Sequence, residues 1–379
     1  MAGLRGVRSL TRRLPSARAY GPVPNGTLCC AQRGYALDSS THHMLWSWAM
    51  EAYPRTLREL DERFGTETAC REYLEQIRWP DGFVCPHCLG RRAWRTDRNL
   101  WMCGDCGRQT SVTAGTIFQG TRIPMSVWFR AIWWVVSQKN GASALGLQRV
   151  LGLGSYRTAW TWLHKLRRAM VRPGRERLTG HVEVDETLIG GVERGGGHRH
   201  KGKKSLVVIA AEVRGQAIGR IRIGSVEDAT ATSLIPFIQK HIEPGSSVIT
   251  DGHKGYCSLP SVGYVHDRRV HLGSREDAHS SLPRVHRVAS LIKRWLLGTH
   301  QGAVSREHLD YYLDEFTFRF NRRSSRSRGK LFYRLIEQAV TVEPIPYAQM
   351  IKGVRGRKKK GLPQNLWVER DGCTDGNRP

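Results

Sequence analysis

Four cysteines in two close pairs, Cys85/Cys88 and Cys103/Cys106, stand in CPHC and CGDC with fourteen residues between the pairs. Zn2+ takes four ligands at tetrahedral corners, and thiolates suit it. A CxxC on one turn offers two sulfurs, and a second on a neighbouring turn closes the shell. The expected module is a structural zinc site with Trp94 and Trp101 packed against it. Four thiolates leave no open position for catalysis, and His87 is expected beside the site, not in it. A second group is acidic. In HVEVDET apolar and polar residues alternate, so Val182 and Val184 face one side of a strand and Glu183 and Asp185 the other. A carboxylate on a core strand is costly unless it meets a cation. Further on, VITDGHKGY puts Asp251 at the end of a short apolar strand. Two aspartates at strand ends of one sheet can converge on hard cations such as Mg2+. Two such ions about 4 Å apart activate an attacking oxygen and steady a leaving one in phosphoryl transfer.

The elements that must carry these residues follow from periodicity. Residues 1–52 show no sustained apolar period and are expected to be disordered. From Tyr53 to Trp79 the spacing of Leu57, Leu60 and Phe64, then of Ala69, Tyr73 and Ile77, is helical. Residues 82–119 are short, turn-rich and Cys-rich. Helices are expected at Ser126–Gln138, Ser143–Leu151 and Tyr156–Val171, with a tight turn at Gly152-Leu153-Gly154 and Ser155 as the cap of the third. Two helices joined by a short Gly-containing turn, the second basic, match the helix-turn-helix that reads DNA. Strands are expected at His181–Ile189, Ser205–Val213, Ile218–Ile223 and Ser247–Thr250. Pro283 opens another helix, and residues 305–340 are helical and basic.

Charge narrows the partner. The 379 residues carry 60 Lys+Arg against 33 Asp+Glu, a net charge of +27. Nucleic acid is the first polyanion to consider, since phosphate attraction drives association. No apolar run approaches the roughly eighteen residues that span a bilayer, so no membrane is expected. Arg157, Thr161, Lys165 and Arg168 on the third helix are expected to meet DNA. So are Lys201, Lys203 and Lys204 in a Gly-rich loop between two strands, and Arg322 and Arg323 in the basic run from Arg319 to Arg334.

VEVDETLIGG, TDGHKGY, LPRVHRVASLIKRWLLGTH and HLDYYLDEFTFRFNRR together resemble the insertion-sequence transposases that carry a zinc ribbon before a DDE-type domain, ISXO-like. The segment QKNGASALGLQRVLGLGSYRTAWTWLHKLRRAM belongs to the same resemblance, which spans about Tyr53 to Val340. It implies an α/β core, a ribonuclease-H-like mixed sheet with flanking helices. It also implies cleavage and joining of element ends with Mg2+ or Mn2+. Asp185 and Asp251 resemble the first two catalytic aspartates. The third position departs from the pattern: where a Glu, or in relatives an Asn, is expected, this chain has His286. Lys293 resembles the Lys that follows the third ligand, and seven residues put it on the face of His286. His286 is read as a ligand or proton carrier; the alternative is that it packs and that Glu276 or Asp277 supplies the third oxygen. Glu186 is expected on the opposite strand face, in a structural role.

The resulting division is an extension at 1–52, helix plus zinc ribbon at 53–120, helix-turn-helix at 121–175, the ribonuclease-H-like domain at 178–340 and a basic tail at 341–379. Residues 1–37 contain no acid and six arginines, as organellar transit peptides do. A non-folding extension ahead of a working start at Met44 or Met50 is preferred, because the rest of the chain looks bacterial. Nine cysteines without an even framework fit a reducing compartment, hence the cytoplasm and nucleoid. The expected function is a transposase acting on double-stranded DNA as at least a dimer. A catalytically inactive DNA-binding regulator and a nuclease that cuts without joining are the alternatives.

Overall fold

The computed structural model describes residues 53–352 except 173, 191–203, 271–280 and 303. The N-terminal extension, Lys201, Lys203, Glu276, Asp277 and the tail from 353 lie outside the described residues.

The front of the chain is helical. Helix α1 (Leu57–Phe64) and α2 (Glu67–Arg78) each start at a threonine, whose hydroxyl accepts the N–H of Glu59 or Ala69. Such a cap contributes about 1 kcal/mol. Three short antiparallel strands follow, β1 (Ala93–Arg95), β2 (Trp101–Cys103) and β3 (Gln109–Thr110). Then come α3 (Met125–Ser137), α4 (Ala144–Leu151) and α5 (Tyr156–Ala169). Ser143 and Ser155 cap α4 and α5, accepting from Gly146 and Thr158. Gly152 ends α4 with φ 62°, a left-handed position that favours glycine. These are the three helices expected from the sequence, their boundaries shifted by a residue or two.

The second half is built on a five-stranded sheet: β4 (His181–Ile189), β5 (Ser205–Arg214), β6 (Ala217–Val226), β7 (Ser247–Thr250) and β8 (Val265–Arg268), in the order β6-β5-β4-β7-β8. The first three pair antiparallel, while β4, β7 and β8 run parallel. Val182 and Val184 enter one core with α6 (Ala231–His241). On the other face Ile209, Ile221 and Ile249 pack with α7 (Pro283–His300) and α8 (Leu309–Asn321). With helices on both faces of a mixed sheet, this is the ribonuclease-H-like core, behind a zinc ribbon. The β6 edge is closed by α8: Asn321 bonds both N and O of Ile221, and Asp310 accepts the Ser225 N–H. An edge so occupied cannot recruit a foreign strand.

Helix α9 (Arg328–Thr341) is expected from sequence with the catalytic half, yet its packing is with the front half. Phe332, Leu335 and Ile336 are fully buried in one core with Leu60, Phe64, Phe129 and Trp128. The approach is close: a Cβ at Gly329 would collide with the Pro54 carbonyl oxygen.

The two halves are joined by a buried ionic cluster. Arg167 of α5 and Glu315 of α8, 2% and 1% exposed, meet at 2.8 Å. Arg319 takes the other Glu315 oxygen at 2.8 Å and donates to the carbonyls of Val135 and Gln138, at the end of α3. From α7, Trp295 and Thr299 both donate to the Asn140 carbonyl. Gly141 follows at φ 84°, where a Cβ would lie 2.7 Å from the Trp295 nitrogen.

Candidate functional site

The cysteines come together as their spacing predicts. Cys85 and Cys103 are buried, Cys88 and Cys106 exposed, and all four sulfurs lie within 4.8 Å of one another. The separations Cys85–Cys106, 3.7 Å, and Cys88–Cys103, 3.5 Å, match the roughly 3.8 Å edge of a tetrahedron with 2.3 Å Zn–S bonds. The donor set therefore fits structural zinc. His87 is exposed and outside the group. Phe83 stacks on Trp101, with Trp79 at its edge, to make the small apolar base of the ribbon. Trp94 does not join it: on β1 it turns outward and is 56% exposed, which corrects the expected packing.

Asp185 sits on the central strand β4, opposite Ile209 of β5. Across the parallel pair, Glu183 is opposite Ile249 of β7, so Asp251, two residues beyond Ile249, comes beside Asp185. Asp251 lies just past the carboxyl end of β7, while Asp185 is the fifth of the nine residues of β4, two past its last parallel pairing with β7. The loop after β7 is held by its own groups: Asp251 Oδ1 accepts the His253 N–H at 2.9 Å, and Thr250 Oγ1 lies 2.8 Å from His266 Nε2.

Helix α7 brings the remaining residues. Its fourth residue, His286, stands with Nδ1 3.8 Å from Asp185 Oδ2, too long for a hydrogen bond but short enough for two donors to face one cation. Both side chains are partly exposed, 31% and 20%, so the cleft is open to a substrate. Lys293 is exposed on the same helix. Burial, then the charges of Glu186 and Asp251, push the Asp185 carboxyl up to about 7, against a smaller lowering by Lys293. Two further carboxylates, Glu186 and Asp251, thus lie close enough to Asp185 to add to the effect of burial. An oxygen-rich, electron-rich set of this kind fits a hard divalent ion such as Mg2+ or Mn2+. Asp185, Asp251 and His286 are not drawn to the tight spacing of the cysteines, which form the one such cluster among the described residues.

Three residues around the cleft were not assigned from sequence. Glu183, fully buried, is paired with Arg284 at 2.7 Å. Tyr256, also fully buried, donates to Glu186 Oε2 at 2.5 Å. Burial raises the Glu186 pKa, and its tyrosine partner is packed in the α6 core, on the opposite face from Asp185 as expected. The signal for Tyr256 was its place in TDGHKGY. For Glu183 the signal was the strand alternation; its cation is an arginine.

The expected DNA contacts are spread over several surfaces. Arg157 lies 3.8 Å over the ring of Tyr347, which belongs to a short helix, α10 (Tyr347–Met350). Thr161 and Lys165 share an open cleft of about 350 Å³ with Arg122 and Arg157. Burial lowers the Lys165 pKa. Arg168 donates to the Glu343 carbonyl at 2.9 Å. The first turn of α5 is exposed, but Trp162, Leu163, Leu166 and Arg167 are core, and Thr161, Lys165 and Arg168 are half-buried, so the accessible basic face narrows beyond Arg157. Arg322 donates to the Phe318 carbonyl, and burial pushes its pKa down to about 10. Arg323 donates to carbonyls of Ile218 and Phe320. Lys204 precedes β5, at the described end of the Gly-rich connection between β4 and β5.

Residues 65–109 match the transposase zinc-ribbon domain, and residues 177–321 match the ISXO2-like transposase domain. The chain belongs to the ISXO2-like transposases. It is 28% identical over 279 residues to an uncharacterized protein in transposable element ISH50 of Halobacterium salinarum, covering 68% of this chain and 91% of that one. It is 25% identical over 112 residues to an uncharacterized transposase-like protein of Haemophilus influenzae, covering 30% of this transposase and 89% of the relative. Among solved structures, the catalytic core domain of BIV integrase is similar at 14% identity and a TM-score of 0.26, covering 39% of this chain and 86% of that one. No described helix of the transposase is long and apolar enough to cross a membrane.

Proposed function

We propose that this transposase binds the terminal repeats of its own element in double-stranded DNA, cleaves them and joins the freed 3′ ends to target DNA, working as at least a dimer in a bacterial cytoplasm. Asp185, Asp251 and His286 hold the divalent ion, Mg2+ or Mn2+, and Lys293 holds a phosphate beside it. When bound there, the ion supplies Lewis acidity to phosphoryl transfer. The carboxylates fix its position, and the open side of the cleft admits a DNA strand. The helix-turn-helix reads the repeat through the solvent side of α5, with Arg157, Thr161 and Lys165. Arg168, Lys201, Lys203, Lys204, Arg322 and Arg323 contribute positive charge along the path.

The observation that carries this reading is the convergence of Asp185 on β4 and Asp251 just past the end of the neighbouring β7, with His286 3.8 Å from Asp185. The test is a mobility assay in which the gene's own flanking DNA surrounds a marker and the protein is supplied in trans, intact or as Asp185→Ala. Movement with the intact protein alone supports the reading. Binding to the flanks without movement of the marker favours a DNA-binding regulator, and the His286 departure is what keeps that reading in view.

A further inference from the structure

We propose that Glu183 is a positioning residue of this centre: it seats the helix that carries His286 and Lys293 against the strand that carries Asp185, and thereby sets the site's affinity for its divalent ion. The proposal rests on the reading of Asp185, Asp251 and His286 as the ion's ligands.

Glu183 precedes Asp185 by two residues on β4 and shares its face, yet it is 0% exposed and reaches no solvent. Helix α7 has no cap of its own. Leu282 occupies the cap position without a side-chain bond, and Pro283 has no N–H to give. The next two N–H groups, of Arg284 and Val285, both donate to Glu183 Oε2, at 2.8 and 3.1 Å. The Arg284 guanidinium donates to Oε1 at 2.7 Å. Its remaining nitrogens reach the carbonyls of Gly215 and Ala217, in the turn between β5 and β6. One carboxylate therefore ties the first turn of α7, the central strand and a sheet turn together. Both of its oxygens are used, by a cation and by the positive end of a helix, which is the condition under which a buried charge is tolerated.

The consequence reaches the cleft because α7 is continuous from Pro283 to His300. His286 follows the clamp directly, and Lys293 lies two turns further along the same rigid element. A displacement of the first turn moves both relative to Asp185, whose own backbone is fixed by pairing with Ile209. Residues that orient a ligand in this way typically change metal affinity or activity by about 10–100-fold when altered.

The test uses the full-length, zinc-loaded protein without DNA, titrated with Mn2+ and followed by electron paramagnetic resonance. Wild type is compared with Asp185→Asn, Glu183→Gln and Arg284→Lys. Asp185→Asn identifies the site, by removing it. Glu183→Gln keeps the shape but loses the charge and one acceptor. It is expected to raise the Mn2+ Kd at that site about tenfold or more, with zinc content and binding to the flanking DNA unchanged. Arg284→Lys keeps the charge but not the fork, and is expected to shift the Kd the same way by less. It also serves if Glu183→Gln fails to fold. A Kd within twofold of wild type in the folded variant overturns the positioning role while leaving the ligand reading intact. Mn2+ binding unaffected by Asp185→Asn overturns the ligand reading, and this proposal with it.

Discussion

Replacing Glu315 by Gln tests whether the two halves of the transposase are held by a buried charge cluster. The carboxylate is 1% exposed and lies between Arg167 and Arg319 at 2.8 Å each. Burial alone would raise its pKa, but the two guanidiniums outweigh burial and hold it at about 2, against an ordinary 4.5. A shift of that size corresponds to stabilisation on the order of 3 kcal/mol at neutral pH, at about 1.4 kcal/mol per pH unit. That agrees with the roughly 3–5 kcal/mol typical of breaking a buried pair from one side. Glu315→Gln leaves Arg167 with a buried, uncompensated charge, and urea unfolding followed by tryptophan fluorescence should show a loss of about 3 kcal/mol. Because the folded pKa is depressed, the contribution is complete above about pH 4.5 and is lost as pH falls from there toward 2. The wild-type advantage over Glu315→Gln should therefore shrink across that window. The double substitution Arg167→Met with Glu315→Gln should be less damaging than the sum of its parts, since it removes the orphaned charge. A cost below about 1 kcal/mol for Glu315→Gln, or strict additivity in the double variant, would refute this account.

Cys103→Ser should release the zinc and loosen the ribbon; zinc content by atomic absorption, with proteolysis of residues 82–110, checks it, and an unchanged stoichiometry counts against the four-sulfur site. Arg157→Ala and Lys165→Ala should each weaken binding to the element's ends and lower the slope of log K against log salt by about one; gel-shift titrations at several salt concentrations measure this, and unchanged slopes would exclude phosphate contacts. Gly329→Ala should cost about 1–3 kcal/mol, because its Cβ meets the Pro54 backbone; an unchanged midpoint of urea denaturation would show that the contact relaxes freely.

Local patterns carried much of this structure in plain sight. The alternation of HVEVDET gave β4 its span and its two faces, since a strand between two helical layers must sort its side chains that way. Ser155 and Gly152 marked the ends of two helices because capping depends on a few atoms of one residue. The cysteine pairs specified their own geometry. What stayed hidden depended on partners distant in the chain. Helix α6 contains Pro236, which reads as a break, and it is held by burial of Leu234, Phe237 and Ile238 against the sheet. Strand β8, VHDR, has no alternation of its own and exists through its parallel pairing with β7. Arg167 stands next to Arg168 in a basic helix with nothing local to set it apart, and only the presence of Glu315, 148 positions away, makes it core. The cleft follows the same division: Asp185 and Asp251 stand out as carboxylates on or just past apolar strands, whereas Glu183 finds its cation in Arg284, 101 positions on.

The seating of α9 in the front core has a consequence for the order in which the protein is made. Leu60, Phe64 and Phe129 leave the ribosome early, but Phe332, Leu335 and Ile336, which complete their core, follow much later. At roughly 5–20 residues per second, the interval is on the order of tens of seconds. During that time the nascent front end lacks part of its core, and helix α5 rests on an unfinished support. The front half is therefore expected to reach its final packing only after the sheet has been made, once α9 has emerged. A prematurely terminated chain lacking α9 is therefore expected to have a less stable front half than the full-length protein.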